Sequence, residues 1–248
     1  MTAHPVLMAS ASTSHRPVAL SADGYATGLG EEGGFAPALD RPEAVLQLLV
    51  EAITDVGYTP GREGVAIALD PAAGELGGPD GRYRLAGDTL SGDQLIDGYE
   101  TIVERYPVWS IEDGLAEDDW DGWVRLTARL GDRVQVMGDD IFVTNPSIIT
   151  EAISKKIANS ALIKVNQIGT VTETLDAMRT CREAGYTQMV SHRSGETGDA
   201  FIADLAVGTG CGQFKSGAPA RGERIAKYNR LIEIADSHPW LPFGLATG

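Results

Sequence analysis

The 248-residue sequence predicts an α/β fold with a parallel sheet, and three observations carry that expectation. Short apolar runs rich in β-type residues alternate with helix-patterned segments along most of the chain. The runs are apolar almost throughout rather than alternating with polar residues, as strands covered on both faces require. A residue able to do chemistry stands at or just after the end of each run. From Asp70 these positions recur at intervals of about 42, 27, 25, 28 and 23 residues, roughly one βα unit each.

Residues 1–24 are rich in Ala, Ser, Thr and Pro without a period and are expected to be irregular, and 25–248 to form one domain. Four glycines and Pro37 surround Glu31 and Glu32 in Gly28–Pro37, which marks a shaped loop. Pro42 opens an apolar-periodic stretch to Val56 that Gly57 stops, a helix with proline in its first turn. The strand candidates are then Val65–Leu69, Val108–Ile111, Val134–Met137, Ala161–Val165, Thr187–Val190 and Cys211–Phe214. The helix candidates between and after them are Gly92–Arg105, Trp120–Leu130, Pro146–Ile157, Val171–Ala184, Ala200–Val207 and Arg221–Ala235. Glu117-Asp118-Asp119 reads as a solvated helix start, and Trp109, Trp120 and Trp123 as packing residues.

Composition excludes several roles. The formal net charge of −15 would repel nucleic acid and anionic membranes. An anionic substrate would need local cations or a metal. Two cysteines, Cys181 and Cys211, are too few for a disulfide framework and suit a reducing cytoplasm. No apolar run is long enough to span a bilayer, and the N-terminus lacks the pattern of a secretory signal.

Parallel strands place their C-terminal ends on one face, so the positions Asp70, Glu112, Asp139, Lys164, His192 and Lys215 are expected to converge at the usual address of a β/α-barrel active site. Three carboxylates from neighbouring strands make a hard-oxygen site suited to Mg²⁺. A neutral amine beside a divalent cation is a competent base, because the neighbouring charge lowers its pKa. Metal and lysine together suit abstraction of a proton beside a carboxylate. Taken singly, each residue has a plainer use. Asp after a strand is commonly a helix cap, lysine an amphipathic surface residue, and histidine a hydrogen-bonded core residue.

Six segments taken together resemble enolase: Gly30–Pro37 (GEEGGFAP), Ser110–Trp120 (SIEDGLAEDDW), Gly138–Pro146 (GDDIFVTNP), Ala161–Thr170 (ALIKVNQIGT), Ser191–Thr197 (SHRSGET) and Gly208–Arg221 (GTGCGQFKSGAPAR). The resemblance is to the C-terminal domain and runs from about Gly28 to about Ile234. It implies a TIM β/α barrel with about six of its eight strands and without the family's N-terminal α+β domain. It implies reversible, Mg²⁺-dependent dehydration of 2-phosphoglycerate to phosphoenolpyruvate in glycolysis.

By the same resemblance Lys164 is the base and Glu32 the acid that assists departure of the hydroxyl, with His192 beside that hydroxyl. Asp70, Glu112 and Asp139 hold the metal. Arg193 and Ser194 hold the phosphate, and Lys215 neutralises the substrate carboxylate. Family members are typically homodimers.

The chain departs from the family pattern at Glu31, where Asp is usual, and mildly at Gly198, Phe214-Lys215-Ser216 and Gly222. Segments matching the family's closing serine loop, an upstream histidine and a second glutamate are not found. An alternative expectation is therefore an inactive remnant that keeps metal and phosphate contacts or serves as a binding protein.

Overall fold

Helix ends in this chain are set by local chemistry, and the computed structural model shows it across the described residues, 25–39 and 41–245. The expectation for 1–24 lies outside them. The chain divides into two compact units. Of the described residues, 41–50 and 59–188 form the larger, and 25–39, 51–58 and 189–245 the smaller.

The first helix, α1 (Pro42–Asp55), starts on the expected proline. In the larger unit, strands β1 (Ile67–Leu69), β4 (Val108–Glu112), β5 (Gln135–Gly138) and β6 (Ser160–Ile163) pair in parallel in that order. The helices between them are α3 (Gly92–Arg105), α4 (Trp120–Leu130) and α5 (Pro146–Ser154), and α7 (Val171–Glu183) follows β6. Each begins on a side chain that takes up orphan backbone N–H groups. Ser91 and Gln94 form a reciprocal capping box on α3. Asp119 caps α4, so the acidic run does start a helix, and Asn145 and Thr170 cap α5 and α7. Helix α3 packs on α4 and α5 on α7. Ile111, Val136, Leu162 and Ile163 on the strands, and Trp123, Leu126, Leu130 and Ile149 on the helices, are fully buried. Trp123 is a packing residue as expected; its indole N–H donates to the Ala116 carbonyl.

Three elements of this unit fall outside the expected cadence. Two short helices, α2 (Ala73–Leu76) and α6 (Val165–Ile168), follow β1 and β6. A hairpin of β2 (Tyr83–Leu85) and β3 (Asp88–Leu90) turns through Ala86 and Gly87, both at positive φ, the requirement of a two-residue hairpin loop.

The last three residues of β7 (Thr187–Ser191) fall in the smaller unit, where the strand pairs in parallel with β8 (Phe214–Lys215), through Val190↔Phe214 and Ser191↔Lys215. Helix α8 (Phe201–Thr209) joins them, and α9 (Gly222–Ser237) follows. The Arg230 guanidinium on α9 grips Asp204 of α8 with contacts from 2.7 Å, and Tyr228 meets Phe214 edge-on. Six parallel strands, each followed by helix, make the α/β class as expected. Cys181 and Cys211 are both free and buried.

Candidate active site

Register brings the acidic residues of the larger unit together. Leu69 pairs with Ile111, and Glu112 with Met137. Asp70, Glu112 and Asp139 therefore stand within two residues of one another at the ends of three adjacent parallel strands. Glu112 and Asp139 are buried and Asp70 is exposed. Lys164 follows β6 directly and occupies the position before the short helix α6, one position beyond the strand expected to contain it. Its amine pairs with the Asp139 carboxylate. Gln167 donates to the other Asp139 oxygen at 3.0 Å, and Thr144 joins Gln167 to the Lys164 backbone N–H. A half-buried lysine and a buried aspartate are thus held by a shared hydrogen-bond chain.

Asp113 completes this cluster without having been assigned a role from sequence. It sits in the left-handed region at φ 44°, which is strained for a non-glycine residue. Its two carboxylate oxygens accept the backbone N–H groups of Asp139 and Asp140, each at 2.9 Å. Burial pushes its carboxyl up to about 7 against the pull of those bonds, and the charges of Asp139 and Asp140 add to the rise. Asp140 is raised for the same reasons, burial first and then the Asp139 charge, with Asp70 among the smaller contributions. Oxygens of Asp113, Asp139 and Asp140 lie within 4.8 Å of one another, a triad that could hold a metal ion.

The smaller unit gathers a second set. Loop 28–36 is anchored where the Ala218 N–H donates to the Glu32 carbonyl at 2.8 Å. Gly217 stands at φ 69°, and a Cβ there would lie 2.6 Å from the Glu32 carbonyl oxygen and 3.2 Å from His192 Cε1. That approach requires glycine. His192 is buried, with its backbone N–H on the Lys215 carbonyl at 3.0 Å. Its Nε2 lies 3.3 Å from Oε2 of Glu32. The neighbouring His192 ring holds the Glu32 carboxyl down at about 2 against desolvation, with the charges of Lys215 and Arg224 assisting.

Arg193 is half-buried and Ser194 exposed. Both carbonyls accept from Arg224 of α9, at 2.7 Å. Lys227, one helical turn further on, is 1% exposed. It donates to the Thr197 carbonyl at 2.8 Å and pairs with Glu196. Two buried cations therefore pin segment 193–197.

The family model for the enolase C-terminal TIM barrel domain matches residues 13–238. The chain belongs to this family. Its six parallel strands and their helices are then the βα units of an enolase-type TIM barrel. Membership supports a lyase-type function of the enolase superfamily. Among the described residues no helix is long and apolar enough to cross a membrane.

Of the enolase-like residues expected from sequence, Asp139 and Lys164 touch directly. Glu32, His192 and Lys215 share one electrostatic neighbourhood, and Arg193 and Ser194 lie on the pinned segment. Arg224, Lys227 and Gln167 were not singled out, and Asp113 was noted only as a strand-end carboxylate without a role. The only trace of Arg224 and Lys227 in the sequence is that they share an i, i+3, i+4, i+7 helical stripe with Tyr228 and Leu231, where charged residues ordinarily face water.

Proposed function

We propose that the chain carries enolase chemistry: reversible, Mg²⁺-dependent dehydration of 2-phosphoglycerate to phosphoenolpyruvate. The observation that carries the reading is the pairing of the Lys164 amine with buried Asp139 inside a carboxylate cluster at strand ends.

The donor set suits the metal. Buried carboxylates need compensating charge, and hard oxygen donors select Mg²⁺. Asp113 spends both oxygens on backbone N–H groups. It therefore acts as the positioning residue, and Asp70, Glu112 and Asp139 are the proposed ligands. When bound, the ion supplies Lewis-acid stabilisation of negative charge on the substrate carboxylate.

Lys164 takes the proton from C2 of the substrate, and the electron pair of that C–H bond moves toward the carboxylate. That pair then returns to form the C2–C3 double bond as the C3–O bond breaks, and the leaving hydroxyl takes a proton from Glu32 and departs as water. Glu32 is ionised in the free protein. An anionic substrate beside it raises its proton affinity and equips it to act as the acid. Arg193 and Ser194 hold the phosphate, and Lys215 neutralises the carboxylate. Glycolysis, a cytoplasmic location and a homodimeric assembly follow from the same reading. Two free cysteines and a charge of −15 accord with a reducing compartment and with no affinity for nucleic acid.

The test is turnover of 2-phosphoglycerate with Mg²⁺, followed by ultraviolet absorbance of phosphoenolpyruvate. Lys164→Ala should lower the rate by at least about 10²-fold, the scale of a lost general base. Turnover surviving that change, or faster reaction of a non-phosphorylated acid, would overturn the assignment.

A further inference from the structure

Arg224 on α9 is fully buried, yet among the described residues no carboxylate lies within hydrogen-bonding distance of it. Its nearest anionic contact is Oε1 of Glu223, 3.8 Å from Nε. The guanidinium is spent on neutral acceptors instead. Nη1 donates to the Arg193 carbonyl at 2.7 Å and also meets Nδ1 of His192. Nη2 donates to the Ser194 carbonyl at 2.7 Å and reaches the Glu31 carbonyl at 3.3 Å.

A guanidinium has N–H donors and no lone pair to offer. Any ring nitrogen that faces it must accept. Nδ1 of His192 is therefore the lone-pair nitrogen, which leaves the ring proton on Nε2. Gly217 already packs so closely that even a methyl group there would lie 3.2 Å from Cε1 of His192 and from Cδ of Arg224.

Nε2 is itself buried and, among the described residues, lacks a well-aligned partner. Glu32 Oε2, at 3.3 Å, is close enough to feel the N–H but not aligned to satisfy it. A buried donor left incompletely paired is costly in a folded protein, and it is suited to an oxygen atom that arrives with a ligand.

We infer that Arg224 is a positioning residue that locks His192 in the Nε2–H tautomer, so that the site presents His192 as a hydrogen-bond donor beside Glu32. That the oxygen it meets is the departing hydroxyl rests on the proposed dehydratase reading. The tautomer does not.

The experiment is long-range ¹H–¹⁵N correlation on the full chain carrying ring-labelled histidine, at neutral pH. His192→Gln identifies the His192 signals among the four histidines. The expected spectrum shows a protonated Nε2 and a lone-pair Nδ1. Arg224→Met removes the donors and should release the ring to a mixture of tautomers or to Nδ1–H. Arg224→Lys, which keeps a donor, should restore the original pattern at least in part. In the dehydration assay Arg224→Met should lower kcat by about 10–100-fold, the range for loss of a partner that orients a reacting histidine, with a much smaller change in KM.

A wild-type ring carrying its proton on Nδ1 alone, or on both nitrogens, would overturn the inference. So would a folded Arg224→Met protein with an unchanged tautomer. If Arg224→Met does not fold, the wild-type spectrum decides alone. A chain with the expected tautomer and no dehydratase activity would refute the proposed reaction and leave the role of Arg224 standing.

Discussion

Replacing Lys227 with methionine tests whether segment 193–197 is held by a buried charge or merely borders one. Lys227 is 1% exposed, and its amine meets the Glu196 carboxylate, the Thr197 carbonyl at 2.8 Å and the Glu223 carbonyl at 3.0 Å. Methionine keeps most of the volume and removes the charge, so packing changes little. What remains is a largely buried Glu196 without this cation. Removing one partner of a buried pair costs about 3–5 kcal/mol, most of it the penalty of stranding the other charge. Glu196 keeps some access to water, which puts Lys227→Met near the lower end, about 3 kcal/mol. At this chain length that corresponds to a fall in melting temperature of roughly 6–12 °C.

The stranded charge can be removed in turn. Lys227→Met with Glu196→Gln should recover at least about 1 kcal/mol, because the double variant buries no lone ion. Urea denaturation of the four proteins gives the coupling energy directly, and KM for 2-phosphoglycerate should rise as the segment bearing Arg193 and Ser194 loosens. A coupling below about 0.5 kcal/mol, within the scatter of independent sites, would refute the claim that this ion pair pins the segment.

Two further outcomes are expected. Glu32 is held at about 2, below its usual range, so the stability it contributes is present above about pH 4.5 and lost as pH falls toward 2. Its side chain is 45% exposed, and solvent screening keeps that contribution under about 1 kcal/mol. The stability difference between wild type and Glu32→Gln, measured by denaturant titration at a series of pH values, should shrink across that window; a difference that grows on acidification would contradict the assignment. Gly217→Ala should destabilise by about 1–3 kcal/mol and impair turnover, since it combines a positive φ with a methyl group 2.6 Å from the Glu32 carbonyl. An unchanged denaturation midpoint would show that the loop yields there.

The features legible in the sequence are those set by neighbours along the chain. Helix α4 begins where Asp119 can take up the Gly122 N–H, and α5 where Asn145 and Pro146 stand together. The parallel strands could be placed because runs such as Ala161–Ile163 are apolar on both faces. Candidate site residues could be named because a βα cadence puts one chemical group at each strand end, so order and spacing carried the proposal. Strand limits were less well determined. Lys164 left its strand for the position before a helix, and Phe214–Lys215 replaced the longer Cys211–Phe214 run, because pairing with a neighbouring strand decides where a ladder stops.

Tertiary structure alone decided how the charges are used. In a linear reading Arg224 and Lys227 are two more surface cations, and Asp113 is the plain neighbour of Glu112. Folding buries the first two against carbonyl groups that come from some 30 residues away, and turns both Asp113 oxygens onto the backbone of the next strand's loop. The physical reason is that a charge's cost and use depend on which acceptors replace its water. Those acceptors are main-chain atoms, which every residue possesses and no residue type advertises.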